Sequence, residues 1–174
     1  KTFTTMNTAA SMALKGAKVI MVDLDLRKAN LSKALKIEHT GVAAYLNGKI
    51  DDYHIGIQKI TDTLDIIPVG SLPPNPTELL IAEKFQELIN SLKKEYDYVF
   101  LDCPPIDIVA DANIITTYAD LTVFVLRSGR LSKQILPVLE ELYKSNKFNH
   151  VALMLNFVEM QNNKYGYGKG YGYG

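Results

Sequence analysis

Short apolar segments that alternate with segments of helical pattern constrain the fold more than any other feature of this sequence. Five such segments are present: VIMV at 19–22, LDIIPV at 64–69, YVFLD at 98–102, DLTVFVLR at 120–127 and HVALMLN at 150–156. Unbroken apolar runs are typical of strands that are buried on both faces. Strands that alternate with helices predict an α/β fold of three layers, in which helices cover both faces of a mostly parallel sheet.

The segments between the strands carry helix signals. Residues 3–15 are rich in Ala and Met, and Gly16 supplies a C-terminal stop. A polar segment at 29–36 is predicted to be helical. A proline-rich loop runs through Pro76 and precedes an amphipathic helix for which Thr77 is the predicted N-cap. Residues 131–146 form a further predicted helix, which Pro137 is expected to kink.

Composition sets the class of protein. The chain has 174 residues, of which 47% are hydrophobic, enough for one domain with a sizeable core. The 19 basic residues balance the 19 acidic ones, so no overall field attracts nucleic acid or an anionic membrane. No apolar run approaches the roughly 20 residues that span a bilayer, so membrane attachment is expected through another chain or segment. A single cysteine, Cys103, cannot form an internal disulfide, which fits a reducing cytoplasm, and it is expected to be a small packed residue. The three histidines lack the spacing of metal ligands.

Polar residues stand where several predicted strands end, namely Asp23, Asp25, Asp102 and Asn156. In parallel α/β sheets ligands bind beyond the carboxyl ends of the strands. Asp23 and Asp25 are alternate residues, so their side chains are expected to project together. Two adjacent like charges favour a bound cation or proton. The alternative is a pair of solvated acids partnered by Arg27 or Lys28.

The chain begins Lys1-Thr2 and runs directly into a predicted helix, as the last two residues of a phosphate-binding GxxxxGK[ST] loop would. The dipeptide alone is more typical of a solvated helix start with a capping hydroxyl. Asp102 at the end of a buried strand adds the carboxylate that a magnesium-nucleotide site of this kind needs.

Residues 164–174, KYGYGKGYGYG, contain four tyrosines, no aliphatic residue and glycine at almost every second position. Such a segment buries too little apolar surface to offset the entropy of ordering it, so we expect a flexible tail. Alone it would be a low-complexity end without a role. Beside a kinase-like site it becomes a set of phosphate acceptors, which are Tyr165, Tyr167, Tyr171 and Tyr173.

Three motifs resemble those of one family. VIMVDLDLR is similar to the second acidic Walker motif, hhhDxDhR, of bacterial protein-tyrosine kinases (BY-kinases) of the exopolysaccharide and capsule class. YVFLDCPPI resembles their Walker B motif, and GSLPPNPTELL resembles their proline-rich segment. The resemblance implies a P-loop NTPase-like catalytic domain over residues 1–163, with the glycine-rich loop and a strand expected before Lys1, and an autophosphorylation tail over 164–174.

The resemblance also implies roles for residues and cofactors. Lys1 would reach the phosphates of ATP, and Thr2 would give its hydroxyl to Mg²⁺. Asp25 and Asp102 would hold the magnesium, and Asp23 would accept the proton of an incoming tyrosine. Positioning and charge neutralisation would then do most of the catalytic work.

Further implications of the resemblance concern the nucleotide base and the partners. Asn156 is similar to an asparagine that contacts adenine in related ATPases, although an asparagine at a strand end is also a common turn former. Expected partners are neighbouring subunits of a ring-like homo-oligomer that exchange tails in trans, a membrane protein that regulates polysaccharide chain length, and a tyrosine phosphatase. No nucleic-acid partner is expected, and the protein is expected at the cytoplasmic face of the membrane.

Two other classes remain open from the sequence. A Min/Par-type ATPase shares the P-loop scaffold and acts as a nucleotide-switched dimer, but it lacks the PPNPTELL segment and the tyrosine tail. A scaffold without catalysis would use the tyrosine tail only to bind partners. Phosphotyrosine on the tail distinguishes the kinase from both alternatives.

Overall fold

The apolar segments predicted to be strands all form strands in the computed structural model, which describes residues 1–105, 110–129, 135–144, 148 and 150–158. The strands are β1 Val19–Asp23, β2 Gln58–Lys59, β3 Leu64–Ile67, β4 Tyr98–Asp102, β5 Thr122–Arg127 and β6 Val151–Asn156. The helices are α1 Thr2–Leu14, α2 Asn30–Ala34, α3 Val42–Leu46, α4 Pro76–Ile81, α5 Glu83–Glu95, α6 Ala110–Thr116 and α7 Ile135–Lys144. A short 3-10 helix covers Tyr53–Gly56.

The strands pair in two sheets. A four-stranded sheet has the order β2-β3-β1-β4, in which β1 is parallel to both β3 and β4 and the two-residue β2 is antiparallel to β3. β5 and β6 form a parallel pair. The mostly parallel α/β fold is therefore confirmed. Because β1 and β4 are in register, Asp23 lies directly beside Asp102 at the carboxyl ends of the two strands.

Helices pack on both faces of the four-stranded sheet, as the pattern of apolar strands predicts. On one face Ala9 and Ala13 of α1 join a cluster with Val19 and Met21 of β1. On the other face α5 contributes four buried apolar side chains, which are Phe85, Leu88, Ile89 and Leu92. Burying a side chain of this size stabilises the fold by about 1.5–3 kcal/mol. The sheet edge that carries the two aspartates is thus held between two packed layers.

The proline-rich segment differs from its prediction. One helix beginning after a Thr77 cap was expected, but α4 and α5 are separate, because Ala82 between them has extended backbone angles (φ −69°, ψ 148°). Thr77 as N-cap was wrong. Asn75 holds that position, because Pro76 begins the helix, where its missing N–H costs no helical hydrogen bond. Helix α6 and strand β2 were not predicted.

Two chain segments cross in close contact at Gly41 and Gly70. The backbone N–H of Val42 donates to the carbonyl oxygen of Pro68 at 2.8 Å. A Cβ on Gly41 would lie 2.0 Å from that oxygen. Gly70 has φ +76°, and a Cβ there would lie 2.9 Å from the nitrogen of Gly41. Only glycine at position 41 lets the segment before α3 lie against the end of β3.

Several predictions fall outside the described residues. The tail tyrosines at 165, 167, 171 and 173 and the boundary at 163/164 lie there. Within the described part of the chain, no helix is both long and apolar enough to cross a bilayer.

Candidate active site at the carboxyl edge of the sheet

The first turn of α1 rests on the carboxylate of Asp102. The ammonium nitrogen of Lys1 lies 3.0 Å from Asp102 Oδ1, and the hydroxyl of Thr2 donates to Oδ2 at 2.8 Å. The hydroxyl of Thr5, one turn further, donates to Oδ1 at 3.3 Å. The Asp102 side chain has no exposed surface, whereas Lys1 is one-third exposed. A buried carboxylate is thus neutralised by a cation that also reaches solvent.

Asp23 lies beside Asp102 but has different partners. Its Oδ2 accepts hydrogen bonds from the backbone N–H of Ser32 at 2.8 Å and from the Ser32 hydroxyl at 2.7 Å. Its Oδ1 accepts one from the backbone N–H of Asp25 at 3.2 Å. Burial raises the pKa of Asp23, and the neighbouring charge of Asp102 acts in the same direction, while the hydrogen bonds oppose both. The side chain is fully buried.

Asp25 organises the turn that leads from β1 into α2. Its carboxylate accepts hydrogen bonds from the backbone N–H of Lys28 at 3.2 Å and from the Asn30 side-chain amide at 2.7 Å. Its carbonyl oxygen accepts from the backbone N–H of Ala29, which has φ +50°. The two aspartates of the DLD motif therefore lie close together but are stabilised by separate sets of donors, neither of which includes Arg27 or the Lys28 ammonium.

Arg27 instead joins three segments of the chain. Its Nε donates to Asp111 Oδ2 at 3.0 Å and its Nη2 donates to the Thr77 hydroxyl at 3.2 Å. The Thr77 hydroxyl donates to Asp111 Oδ1 at 2.5 Å. Asp111, on α6, is buried. This network fastens the turn after β1 to the proline-rich segment and to α6.

Asn156 lies at the end of β6 in the other sheet. Its side-chain oxygen accepts a hydrogen bond from the backbone N–H of Phe157 at 2.8 Å. That bond is the local turn contact typical of asparagine at a strand end. Nearby, the guanidinium of Arg127 stacks over the Phe157 ring, 4.0 Å from its centre. The structure thus brings Lys1, Thr2, Asp23 and Asp102 together, with Asp25 next to them. It places Asn156 in the other sheet, where its side chain accepts the local turn bond.

Cys103, next to Asp102, is a packed residue as predicted. It is partly buried against the core on the α5 face of the sheet. Burial raises the pKa of its thiol to about 12. The thiol is therefore protonated at neutral pH and is not a nucleophile.

The oxygen donors of the site suit a hard cation. Hydroxyl and carboxylate oxygens are the ligands that Mg²⁺ takes, and it usually keeps several waters and binds substrate phosphates besides one or two carboxylates. Among the described residues, no group of three or more His, Cys, Asp or Glu side chains could hold a metal by itself. Thr2, Asp25 and Asp102 therefore fit Mg²⁺ that arrives with a nucleotide better than a metal in an all-protein cage.

The sequence did not indicate three of the residues that complete the site. Ser32, Asn30 and Thr5 each bond to a site aspartate, yet each is an ordinary polar residue in a helix. Only the positions of these residues relative to the motifs could have indicated their roles. Ser32 and Asn30 follow the DLD motif within the predicted helix, and Thr5 follows Thr2 by three residues, which places the two on one face of α1.

Comparison with known proteins identifies relatives for nearly the whole chain. The AAA domain family (AAA_31) matches residues 1–149. The tyrosine-protein kinase CpsD of Streptococcus pneumoniae serotype 4 is 34% identical over 168 residues, which are 95% of this chain and 74% of that protein. A putative tyrosine-protein kinase in the cps region of Klebsiella pneumoniae is 38% identical over 168 residues, but this chain spans only 23% of it.

Solved structures agree with the sequence relatives. The kinase domain of the Escherichia coli tyrosine kinase ETK superposes with a TM-score of 0.84 at 28% identity, covering 96% of this chain and 66% of that chain. The septum site-determining protein MinD of Pyrococcus horikoshii, complexed with Mg-ADP, superposes with a TM-score of 0.71 at 23% identity, covering 88% of this chain and 63% of that chain, which shows a shared fold. The chain therefore belongs to the AAA domain family and to the bacterial tyrosine-protein kinases of the capsule and exopolysaccharide class.

Proposed function

We propose that this kinase uses ATP and Mg²⁺ to phosphorylate the tyrosines of its own C-terminal segment, in trans between neighbouring copies. The proposed acceptors are Tyr165, Tyr167, Tyr171 and Tyr173. One observation carries the proposal: Lys1 and Thr2 both bond to Asp102 at the carboxyl edge of the sheet, in register with Asp23. A cation, a hydroxyl and two carboxylates at one sheet edge are what a phosphoryl-transfer site needs.

The proposed nucleotide site rests on four side chains. Lys1 is one-third exposed, so its ammonium can turn from Asp102 towards phosphate oxygens. The Thr2 hydroxyl and the carboxylates of Asp25 and Asp102 would hold the magnesium, the carboxylates through water. When bound, the metal neutralises the negative charge that develops on the transferred phosphoryl group. Asn156 remains a prediction for the contact to adenine.

Asp23 is the proposed proton acceptor. In the transfer, a bond forms between the tyrosine oxygen and the γ-phosphorus, and the bond from that phosphorus to the β-phosphate oxygen breaks as ADP leaves. The phenol proton passes to the carboxylate of Asp23. A raised pKa brings a carboxylate closer to the range in which it accepts protons efficiently. Because the Ser32 hydroxyl bonds to Oδ2, that hydroxyl must turn aside or relay the proton.

The proposed setting follows the relatives named above, which are tyrosine kinases, one of them from a cps region. We place the kinase at the cytoplasmic face of the membrane, in the control of capsular or extracellular polysaccharide synthesis and export. The proposed partners are neighbouring subunits of a ring-like homo-oligomer, a membrane protein that regulates chain length and activates the kinase, and a tyrosine phosphatase.

Labelled ATP tests the proposal in the full-length protein. With Mg²⁺ we expect label on the tail tyrosines, mapped by mass spectrometry, and its loss when EDTA is added. Asp102→Asn and Asp23→Asn should each reduce labelling by at least 100-fold, because both remove a carboxylate from the site. The matched control, Asp62→Asn, changes an exposed aspartate far from the sheet edge and should label normally. Labelling that persists in Asp23→Asn would show that another group accepts the proton.

The Min/Par-type alternative has its own signature. That activity releases inorganic phosphate and leaves no phosphotyrosine. The shared fold with MinD gives this outcome a structural basis. Phosphate release without tail labelling would therefore overturn the proposed acceptors while leaving the nucleotide site in place.

A further inference from the structure

We propose that Asp111 is a positioning residue for magnesium binding, because through Arg27 it fixes the turn that carries Asp25. This inference rests on the proposed function, since it concerns the magnesium that arrives with the nucleotide. Asp111 lies in α6, which follows β4, and Arg27 lies in the turn that follows β1. The two carboxylates proposed to hold the metal, those of Asp25 and Asp102, therefore belong to the two chain segments that this ion pair joins.

The turn that carries Asp25 lies beyond the paired part of the sheet. The register of β1 and β4 ends at the pair of Asp23 and Asp102. One more backbone contact follows, in which the N–H of Leu24 donates to the carbonyl oxygen of Asp102 at 3.1 Å. From Asp25 onwards the strand ladder no longer sets the distance between the two metal-binding carboxylates, so a further contact is needed to set it.

The hydrogen bonds that Asp25 accepts come from its own turn. Its carboxylate accepts from the backbone N–H of Lys28 and from the Asn30 amide, and its carbonyl oxygen accepts from the N–H groups of Lys28 and Ala29. These bonds fix the shape of the turn but not its direction relative to β4. Arg27, inside the same turn, supplies the contact to the outside, because its Nε donates to Asp111 at 3.0 Å.

Asp111 is suited to hold the guanidinium of Arg27 in one place. It is buried, and its two oxygens have different partners: Oδ2 accepts from Arg27, and Oδ1 accepts from the Thr77 hydroxyl at 2.5 Å. The Thr77 hydroxyl in turn accepts from Arg27 Nη2 at 3.2 Å, which closes a triangle of three side chains. Among the described residues, Arg27 is the only cation within ion-pair distance of Asp111. A buried carboxylate with a single cation holds it firmly, because separation would leave a buried charge uncompensated.

A magnesium titration separates positioning from stability. The full-length protein is held with fluorescently labelled ADP (mant-ADP), Mg²⁺ is added, and the Mg²⁺ concentration at the midpoint of the fluorescence change is measured. Residues that directly hold a metal ligand in place typically change metal affinity by roughly 10–100-fold. Because Asp111 acts through one further residue, we expect Asp111→Asn to raise the midpoint by about 5-fold or more. Binding of mant-ADP in EDTA should stay as in wild type, because Lys1 is unchanged.

Matched variants exclude a general loss of stability as the cause. Tyr96→Phe removes the hydroxyl that donates to buried Asp65 at 2.7 Å, just before β4 and thus at the opposite edge of the sheet. Its urea midpoint should fall, while its Mg²⁺ midpoint should match wild type. Thr77→Val removes one hydroxyl of the triangle and should raise the Mg²⁺ midpoint in the same direction by less. It provides the measurement if Asp111→Asn does not fold.

A double-mutant cycle tests whether Asp111 acts through Arg27. The single variants Arg27→Gln and Asp111→Asn break the same contact, so their combination should raise the Mg²⁺ midpoint no further than the more affected single variant. Fully additive effects would overturn the proposed route through Arg27.

The same measurements distinguish this inference from the function on which it rests. Unchanged Mg²⁺ midpoints in Asp111→Asn and Thr77→Val would overturn the inference and leave tail phosphorylation untouched. A raised midpoint in a protein that never labels its tail would instead sustain the inference and overturn the proposed acceptors. Nucleotide binding that ignores Mg²⁺ in wild type would overturn the metal site and this inference together.

Discussion

Replacing Ser32 by alanine tests whether the candidate active site is held by the contacts described above. The Ser32 side chain is 5% exposed, and its hydroxyl makes two hydrogen bonds. It donates to Asp23 Oδ2 at 2.7 Å and accepts from the backbone N–H of Val69 at 3.0 Å. The serine therefore connects the acidic end of β1 to the segment that follows β3. Alanine removes both bonds and leaves both partners buried.

The expected loss of stability follows from the two hydrogen-bond partners of the Ser32 hydroxyl. A buried polar group that loses its hydrogen bond costs about 1–3 kcal/mol. The Val69 N–H would lose its whole partner, whereas Asp23 Oδ2 keeps the backbone N–H of Ser32. We therefore expect Ser32→Ala to lower the free energy of unfolding by about 2–4 kcal/mol, a large part of the roughly 5–15 kcal/mol typical of a domain.

Urea unfolding followed by far-ultraviolet circular dichroism measures this change. The transition midpoint should fall with little change in the slope. Ser71→Ala is the matched control, because Ser71 is exposed and lies only two residues after Val69. Surface substitutions of this kind usually change stability by less than about 0.5 kcal/mol. If Ser32→Ala were as stable as Ser71→Ala, the hydroxyl would not be holding the site.

The pH dependence of the reaction rate in Ser32→Ala provides an independent test. The hydrogen bonds from Ser32 lower the pKa of Asp23 against the effect of burial. Removing the hydroxyl should therefore raise that pKa further. If Asp23 accepts the tyrosine proton, the acidic limb of the pH-rate profile moves to higher pH in Ser32→Ala. An unmoved limb would contradict the role of Asp23 while leaving the stability prediction intact.

Three further predictions concern other parts of the chain. Arg27→Lys should destabilise the protein by about 1–3 kcal/mol in urea unfolding, because one ammonium cannot reproduce the two contacts that Nε makes to buried Asp111 and Nη2 makes to the Thr77 hydroxyl. The hydrogen bond to a neighbouring aspartate raises the pKa of His54. Its stabilising contribution is therefore full below about pH 6.5 and is lost as pH rises through the folded-state pKa, so the difference in urea midpoint between wild type and His54→Gln should shrink from pH 6 to 9. Gly41→Ala should destabilise by more than about 1 kcal/mol in a thermal melt, since its Cβ would meet a backbone oxygen at 2.0 Å, whereas Gly56→Ala has its nearest neighbour at 3.4 Å and serves as control.

The sequence was sufficient for every strand except the two-residue β2, and for the acids at the strand ends. An apolar run such as VIMV can hardly be placed except in a buried strand, and an aspartate that follows it must then lie at the edge of the sheet. That reasoning located Asp23 and Asp102 correctly. It could not tell that β1 and β4 are neighbours in register, because strand order depends on how the crossovers pack. The close approach of the two carboxylates is therefore a result of the structure.

The hydrogen-bond partners of these aspartates could not be predicted from the sequence, for a different reason. Arg27 lies two residues after the DLD motif, so local reasoning offered it as a partner for Asp23 or Asp25. In the fold it reaches Asp111 instead, 84 positions along the chain. Helix α6, which carries Asp111, was not predicted, so no sequence pattern connected the two. Hydrogen-bond partners of this kind are chosen by tertiary packing.

The charge balance at the sheet edge links these observations to the proposed chemistry. Three carboxylates lie there, those of Asp23, Asp25 and Asp102, and among the described residues the only side-chain cation bonded to them is the ammonium of Lys1. Three negative charges against one positive leave two uncompensated. Neutral donors stabilise Asp25, and burial raises the pKa of Asp23, so the remaining charge is held at a cost. A divalent cation brought by a nucleotide would remove that cost and would free Lys1 to bind phosphate. The charge balance therefore supports the proposal that magnesium and a nucleotide complete the site.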